Sequence, residues 1–143
     1  MNLLPLPENF IDHTQKQVWD FIRKKYVKLT PEEEVRQSLI HTLVRVYHYP
    51  SSLLGLEKKI TYGRQIKRYD LLLYSRKGKP LLLAECKAKN VKISRDSILQ
   101  IAAYNTTIGA RYLLLTNGKD IISVDTLKAE IFTKILPFGA LET

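Results

Sequence analysis

Two short apolar runs, Leu71-Leu72-Leu73 and Leu81-Leu82-Leu83-Ala84, flank the turn-forming segment Ser75-Arg76-Lys77-Gly78-Lys79. β-rich runs over 66–74 and 80–88 joined by a short Gly-containing link predict an antiparallel hairpin. Symmetric pairing about Lys77 and Gly78 sets Asp70 directly opposite Glu85. Side chains alternate along a strand, so Glu85 and Lys87 share a face with Leu83, while Ala84 and Cys86 point the other way. Whatever the chain folds into must therefore hold two carboxylates facing each other, with Cβ atoms about 5 Å apart. Such a pair calls for a cation or a shared proton.

An all-oxygen pair with room for water suits Mg²⁺, with Mn²⁺ as a substitute, better than zinc. A divalent ion there makes a bound water a better nucleophile and polarises a phosphoryl oxygen, while Lys87 orients that water or stabilises the pentavalent charge. The implied chemistry is phosphodiester hydrolysis. Glu-x-Lys alone is a weak signal, since Glu57-Lys58-Lys59 matches it too, but that copy has no aspartate one hairpin away. The plainer reading is a solvated Lys/Glu pair on an exposed strand face with an Asp near a strand end.

The 143 residues make about one domain, read here as an N-terminal arm over 1–15, loosely attached, and a single folded unit over 16–143. Residues 17–29 are compatible with a helix through Val18 and Ile22 or with an extended end at Tyr26-Val27-Lys28-Leu29, and both readings stay open. Thr30-Pro31-Glu32-Glu33 supplies an N-cap, a proline at the first helical position and a capping-box glutamate, so a helix is expected over about 31–48. A β-rich run at 56–62 precedes the hairpin. A second helix follows at about 94–107, then strands at 111–116 and 121–124 around Asn117-Gly118, and another at 129–135. This order predicts an α/β (α+β) layer fold.

Two helical features bear on the hairpin site. Gln100 and Tyr104 share one face of the second helix and together suit a phosphate or the lysine, although an ordinary polar face has the same spacing. Glu32, Glu33 and Glu34 occupy the first turn of the first helix, where carboxylates also favour the macrodipole. Glu32 is in phase with Val35 and Leu39 and is expected to point inward.

Composition narrows the classes. No apolar run approaches the roughly 20 residues of a membrane span, and the N-terminus lacks a basic secretory leader, so a cytoplasmic protein is expected. The one cysteine, Cys86, and the scattered His13, His41 and His48 offer no zinc spacing. With 23 Lys+Arg against 14 Asp+Glu the net charge is +9, as for a partner of polyanions. Arg64, Lys67, Arg68, Lys89, Lys92 and Arg95 cluster in sequence around the hairpin and are candidates for tracking DNA phosphates, or form a solvated rim.

Taken in order, Thr30 to Gln37, Arg68-Tyr69-Asp70, Glu85-Cys86-Lys87, Gln100 to Tyr104-Asn105 and Thr116-Asn117-Gly118 resemble the nuclease-like N-terminal domain of type I restriction enzyme R subunits, within the PD-(D/E)xK superfamily, over roughly 18–125. The resemblance implies a restriction-endonuclease-like fold with a central mixed sheet flanked by helices, and a Mg²⁺-dependent endonuclease. It also implies Asp70, Glu85 and the Cys86 backbone carbonyl as metal ligands and Lys87 as the catalytic lysine. Glu32 or Glu33 becomes the helix-borne acid, and Gln100 with Tyr104 the accessory pair. Tyr69 stands where the superfamily has a nominal proline. No G-x-x-x-x-G-K-[S/T] phosphate loop occurs, so an ATP-driven motor or other restriction-modification subunits are expected as partners, with DNA as substrate. Cutting both strands favours a homodimer. The other readings are a nucleic-acid-binding or assembly module without catalysis on the same fold, and a repair or recombination nuclease.

Overall fold

The computed structural model describes residues 3–56 and 59–142. Glu57 and Lys58, which carry the second Glu-x-Lys copy, lie outside the described residues. Eleven strands and three α-helices are present among those described. β1 (Ile11–Asp12), β2 (Gln17–Asp20) and β3 (Lys25–Lys28) form an antiparallel three-stranded sheet. Helix α1 (Pro31–Arg45) follows, then β4 (Leu54–Leu56), the ribbon β5 (Lys59–Tyr62) and β6 (Gln65–Arg68), and the hairpin β7 (Leu71–Tyr74) and β8 (Pro80–Cys86). Helix α2 (Arg95–Ile108), β9 (Tyr112–Thr116), β10 (Ile121–Asp125), β11 (Glu130–Phe132) and the short α3 (Phe138–Leu141) complete the order.

The main sheet has six strands in the order β11-β10-β9-β8-β7-β4, parallel between β8 and β9 and antiparallel elsewhere. This is the expected mixed sheet flanked by helices. Strand alternation divides the apolar residues between two cores. Leu71, Leu73, Leu82 and Ala84 meet Val35, Leu39, Ile40 and Leu43 of α1 on one face. Leu72, Leu83, Leu113 and Leu115 meet Ile98 and Ile101 of α2 on the other. No helix among the described residues is long and apolar enough to cross a membrane.

The hairpin register is the expected one: Leu71 pairs with Ala84, Leu72 with Leu83 and Leu73 with Leu82. Only at Tyr74–Pro80 does the register shift, because Pro80 has no N–H to continue the ladder. Ser75 N donates to Lys79 O at 2.8 Å across the turn, and Gly78 supplies φ +78°.

One open reading is decided and several expectations are corrected. Residues 17–29, compatible with either reading in sequence, hold two strands: Val18 and Asp20 are fully buried with period 2. The segment expected as a loose arm is tied down, since Leu3 is buried, Leu4 N donates to Thr42 Oγ1 at 2.9 Å, and Ile11 pairs with Val18. Helix α1 stops at Arg45, short of 48, as His48 turns left-handed with φ +62°. The run expected as continuous at 66–74 is divided between β6 and β7, and β5 with β6 forms a ribbon separate from the main sheet.

Candidate metal and nucleic-acid site

Asp70 precedes β7 by one residue, and continuing the Leu71–Ala84 register brings it opposite Glu85. Asp70 Oδ2 accepts a 2.7 Å hydrogen bond from Cys86 N, which pins this carboxylate to the end of β8. Lys87, just past β8, donates its backbone N–H to Thr116 O at 2.9 Å, so its position is set by β9. Its Nζ lies 4.0 Å from Glu85 Oε2. The Asp70, Glu85 and Lys87 side chains are 29%, 23% and 28% exposed, accessible to a small ligand yet largely withdrawn from water.

Glu85 Oε2 is buried without a hydrogen-bond partner. Burial pushes the Glu85 carboxyl above the ordinary carboxylate range; Lys87 opposes that shift, Asp70 adds to it, and Lys67 opposes it. A buried anion short of donors beside a second carboxylate is a place where a cation gains. The Cys86 thiol is buried and pushed well up, chiefly by burial, which leaves it an inert core group.

On the α1 side, Glu33 is buried and Glu32 exposed, the reverse of the expected phase. The cause is local pairing: Glu33 Oε2 accepts from Arg36 Nε at 2.9 Å and Gln37 Nε2 at 3.0 Å, its Oε1 accepts from Arg36 Nη2, and Arg23 Nη2 lies 3.5 Å from Oε1. Arg36 Nη1 in turn stands 3.6 Å from Asp70 Oδ1. Glu33 therefore reaches the hairpin through Arg36. The positions i+3 and i+4 from Glu33 are a readable signal for this network, which apolar phase alone passes over.

On the α2 side, Gln100 Nε2 donates to Tyr104 OH at 3.2 Å, and Lys67 Nζ sits 5.7 Å from the Tyr104 ring centroid. Lys67, Arg68, Glu85 and Tyr104 line one small cavity. The structure thus brings Asp70, Glu85, Lys87, Lys67, Arg68, Tyr104 and, through Tyr104, Gln100 into one neighbourhood. Arg64 is exposed at the ribbon turn, and Lys92 and Arg95 are exposed ahead of and at the start of α2. Lys89 is drawn toward α1, its Nζ 3.3 Å from Glu34 Oε1.

The Thr116-Asn117-Gly118 segment is structural support. Asn117 Nδ2 donates to Val91 O at 2.8 Å and its Oδ1 accepts from Lys119 N and Asp120 N, which ties the loop after Lys87 to the end of β9. Among the described residues, no group of three or more His, Cys, Asp or Glu side chains could hold a metal. Any ion here would rest on two side-chain carboxylates, backbone oxygen and water.

The sequence profile of a family described as the type I restriction enzyme R protein N terminus matches residues 31–136. A solved fragment described as an HsdR subunit of a type I restriction enzyme from Vibrio vulnificus YJ016 has a similar fold, with a TM-score of 0.56 at 18% identity. The similarity covers 72% of this chain and 22% of that one. The comparison with curated proteins returned no match.

Proposed function

This chain belongs to the type I restriction enzyme R protein N-terminal family, and from that membership we propose that it is a Mg²⁺-dependent DNA endonuclease domain of the PD-(D/E)xK kind. The observation that carries the reading is Glu85: a buried carboxylate oxygen with no donor, opposite Asp70 in hairpin register and 4.0 Å from a lysine. Asp70 and Glu85 would hold the ion, with the Cys86 backbone carbonyl as a third ligand. Two carboxylates are enough for Mg²⁺, which keeps several of its waters. When bound, the ion supplies Lewis-acid polarisation of the phosphate and a more acidic water.

The protein's own groups do the rest. Lys87 stabilises charge on the phosphoryl oxygens, or orients the attacking water, from a position set by β9. Tyr104, steadied by Gln100, binds a phosphate oxygen, and Lys67 and Arg68 neutralise neighbouring phosphates. Arg36 holds Asp70 in place, with Glu33 as its anchor, so Glu33 is a positioning residue; Glu32 stands at the rim. The family's context further suggests a cytoplasmic restriction-modification assembly in which a motor subunit or segment delivers DNA, with paired copies cutting both strands.

A binding or assembly module without catalysis is favoured by one observation, the lack among the described residues of a cluster of three metal-binding side chains. Cleavage separates the two readings. Purified chain with Mg²⁺ or Mn²⁺ is expected to nick supercoiled plasmid, and EDTA or Lys87→Ala to abolish it. DNA binding with no cleavage under any metal would favour the module.

A further inference from the structure

Residues 11–28 precede the stretch matched by the family, and nothing in the sequence marked them as functional. In the fold they face Asp70 across an open cleft of about 470 Å³. Arg23, Lys25 and Lys28 line one side, and Arg36 and Asp70 the other. Asp70 and Arg36 lie toward α1, whereas the Lys67–Tyr104 cavity lies toward α2, so the hairpin end carries basic groups on both flanks.

The wall is rigidly built. Asp20 is fully buried, and its Oδ1 accepts from Ile22 N and Arg23 N at 3.0 and 2.9 Å, while its Oδ2 accepts from Arg23 Nε at 2.6 Å. Arg23 then reaches Glu33 of α1 at 3.5 Å, which fastens the three-stranded sheet to the helix. Trp19 packs edge-on to its register partner Tyr26 at 5.1 Å and stiffens the β2–β3 hairpin. Lys25 and Lys28 remain exposed on β3. Of the carboxylates along the cleft, Glu33 is engaged by Arg36, Gln37 and Arg23, and Asp70 by Arg36 and Cys86 N, which leaves the exposed Glu32 against the two exposed lysines Lys25 and Lys28.

We propose that the β1–β2–β3 sheet is the second wall of a DNA-binding cleft, in which Lys25 and Lys28 hold backbone phosphates flanking the one positioned at Asp70. This rests on the nuclease reading and assigns to it a surface outside the hairpin. DNA would run over the end of the main sheet, between this wall and the Lys67–Tyr104 side. Lys25 and Lys28 stand at the two ends of β3 and both line the cleft, and contacts of this kind to a phosphate backbone position the duplex without reading bases.

The test is fluorescence anisotropy of a short labelled DNA duplex in EDTA, titrated with salt, which measures binding independently of metal and cleavage. Lys25→Ala/Lys28→Ala is expected to weaken binding about tenfold at low salt and to reduce the salt slope by about 2, roughly one per phosphate contact. Lys77→Ala/Lys79→Ala, in the turn at the far end of the β7–β8 hairpin, removes the same charge and is expected to bind as the parent does. Equal weakening by both double variants, or no change in the first, would overturn the proposal, as would failure of the parent to bind DNA. If Lys25 and Lys28 matter for binding but no metal supports cleavage, the nuclease reading fails while the cleft stands. If Lys25→Ala/Lys28→Ala cleaves normally and binds as the parent does, the cleft fails while the nuclease reading stands.

Discussion

Arg36 on helix α1 stands 3.6 Å from Asp70 at the mouth of the β7–β8 hairpin, and the same guanidinium grips Glu33 one helical turn back. Through this contact the helix packed on one face of the sheet fixes a carboxylate at its end. Both Arg36 and Glu33 are nearly buried, at 5% and 6% exposure, so neither charge can turn to water if the other is removed.

Arg36→Met is accordingly expected to destabilise the fold by about 3–5 kcal/mol, the usual consequence of leaving a buried partner uncompensated. Glu33→Gln keeps the shape and an acceptor, and should cost clearly less. Urea unfolding of the two variants measures the difference; equal losses would show that the Glu33 charge matters as much as the Arg36 guanidinium and contradict this ranking.

Glu85 sets a pH dependence. Its carboxyl is raised chiefly by burial, so without metal the folded state favours the protonated form. Its contribution to stability is complete below the unfolded carboxylate value of roughly 4.3 and declines as pH rises through the higher folded value. Glu85→Gln, which removes the buried charge and keeps the shape, should therefore raise metal-free stability at neutral pH, with the gain fading toward pH 4. Thermal melts across that range in EDTA check both the sign and the trend.

Lys87 opposes the shift on Glu85. Lys87→Met should therefore raise the Glu85 carboxyl further and move the acid limb of Mn²⁺ binding to higher pH, even where the variant is inactive. Mn²⁺ titrations at a series of pH values measure this; a limb that stays in place would show that Lys87 does not act on Glu85 electrostatically.

Gly109 closes α2 with φ +77°, and nothing lies within 4 Å of where a Cβ would stand. Gly109→Ala should cost about 1 kcal/mol through backbone strain alone and leave DNA binding unchanged. Urea unfolding and the anisotropy assay test the two halves separately.

The hairpin was legible because its information is local: two apolar runs, a short turn and strand alternation determine which residues face each other, and only Pro80 disturbed the register. The cap of the first helix is equally readable, with Thr30 accepting the Glu33 N–H, whereas Ser94 caps α2 in the same way and is seen only in the fold. Residues 17–28 were not legible, since Val18 and Ile22 satisfy helical spacing while the burial of Asp20 depends on Arg23 and on turn N–H groups that only the fold assembles. Apolar phase alone places Glu32 inward, but Arg36 and Gln37 draw Glu33 in instead. Periodicity weighs apolar burial and is blind to a buried charged network. The ribbon formed by β5 and β6 is hidden for another reason: the break at Tyr69 and Asp70 falls inside a run that reads as one strand on either side of a single aspartate.

Asp70 and Glu85, on the reading proposed above, together hold one divalent ion, which an active domain needs and a pure binding module does not. Mn²⁺ binding followed by electron paramagnetic resonance at neutral pH, on the parent chain, Asp70→Asn and Glu85→Gln, tests this most directly. The expected result is a saturable site in the parent and at least about a tenfold loss of affinity in each variant, since losing even a group that only supports a ligand costs that much. Equal Mn²⁺ affinity in all three proteins would contradict it.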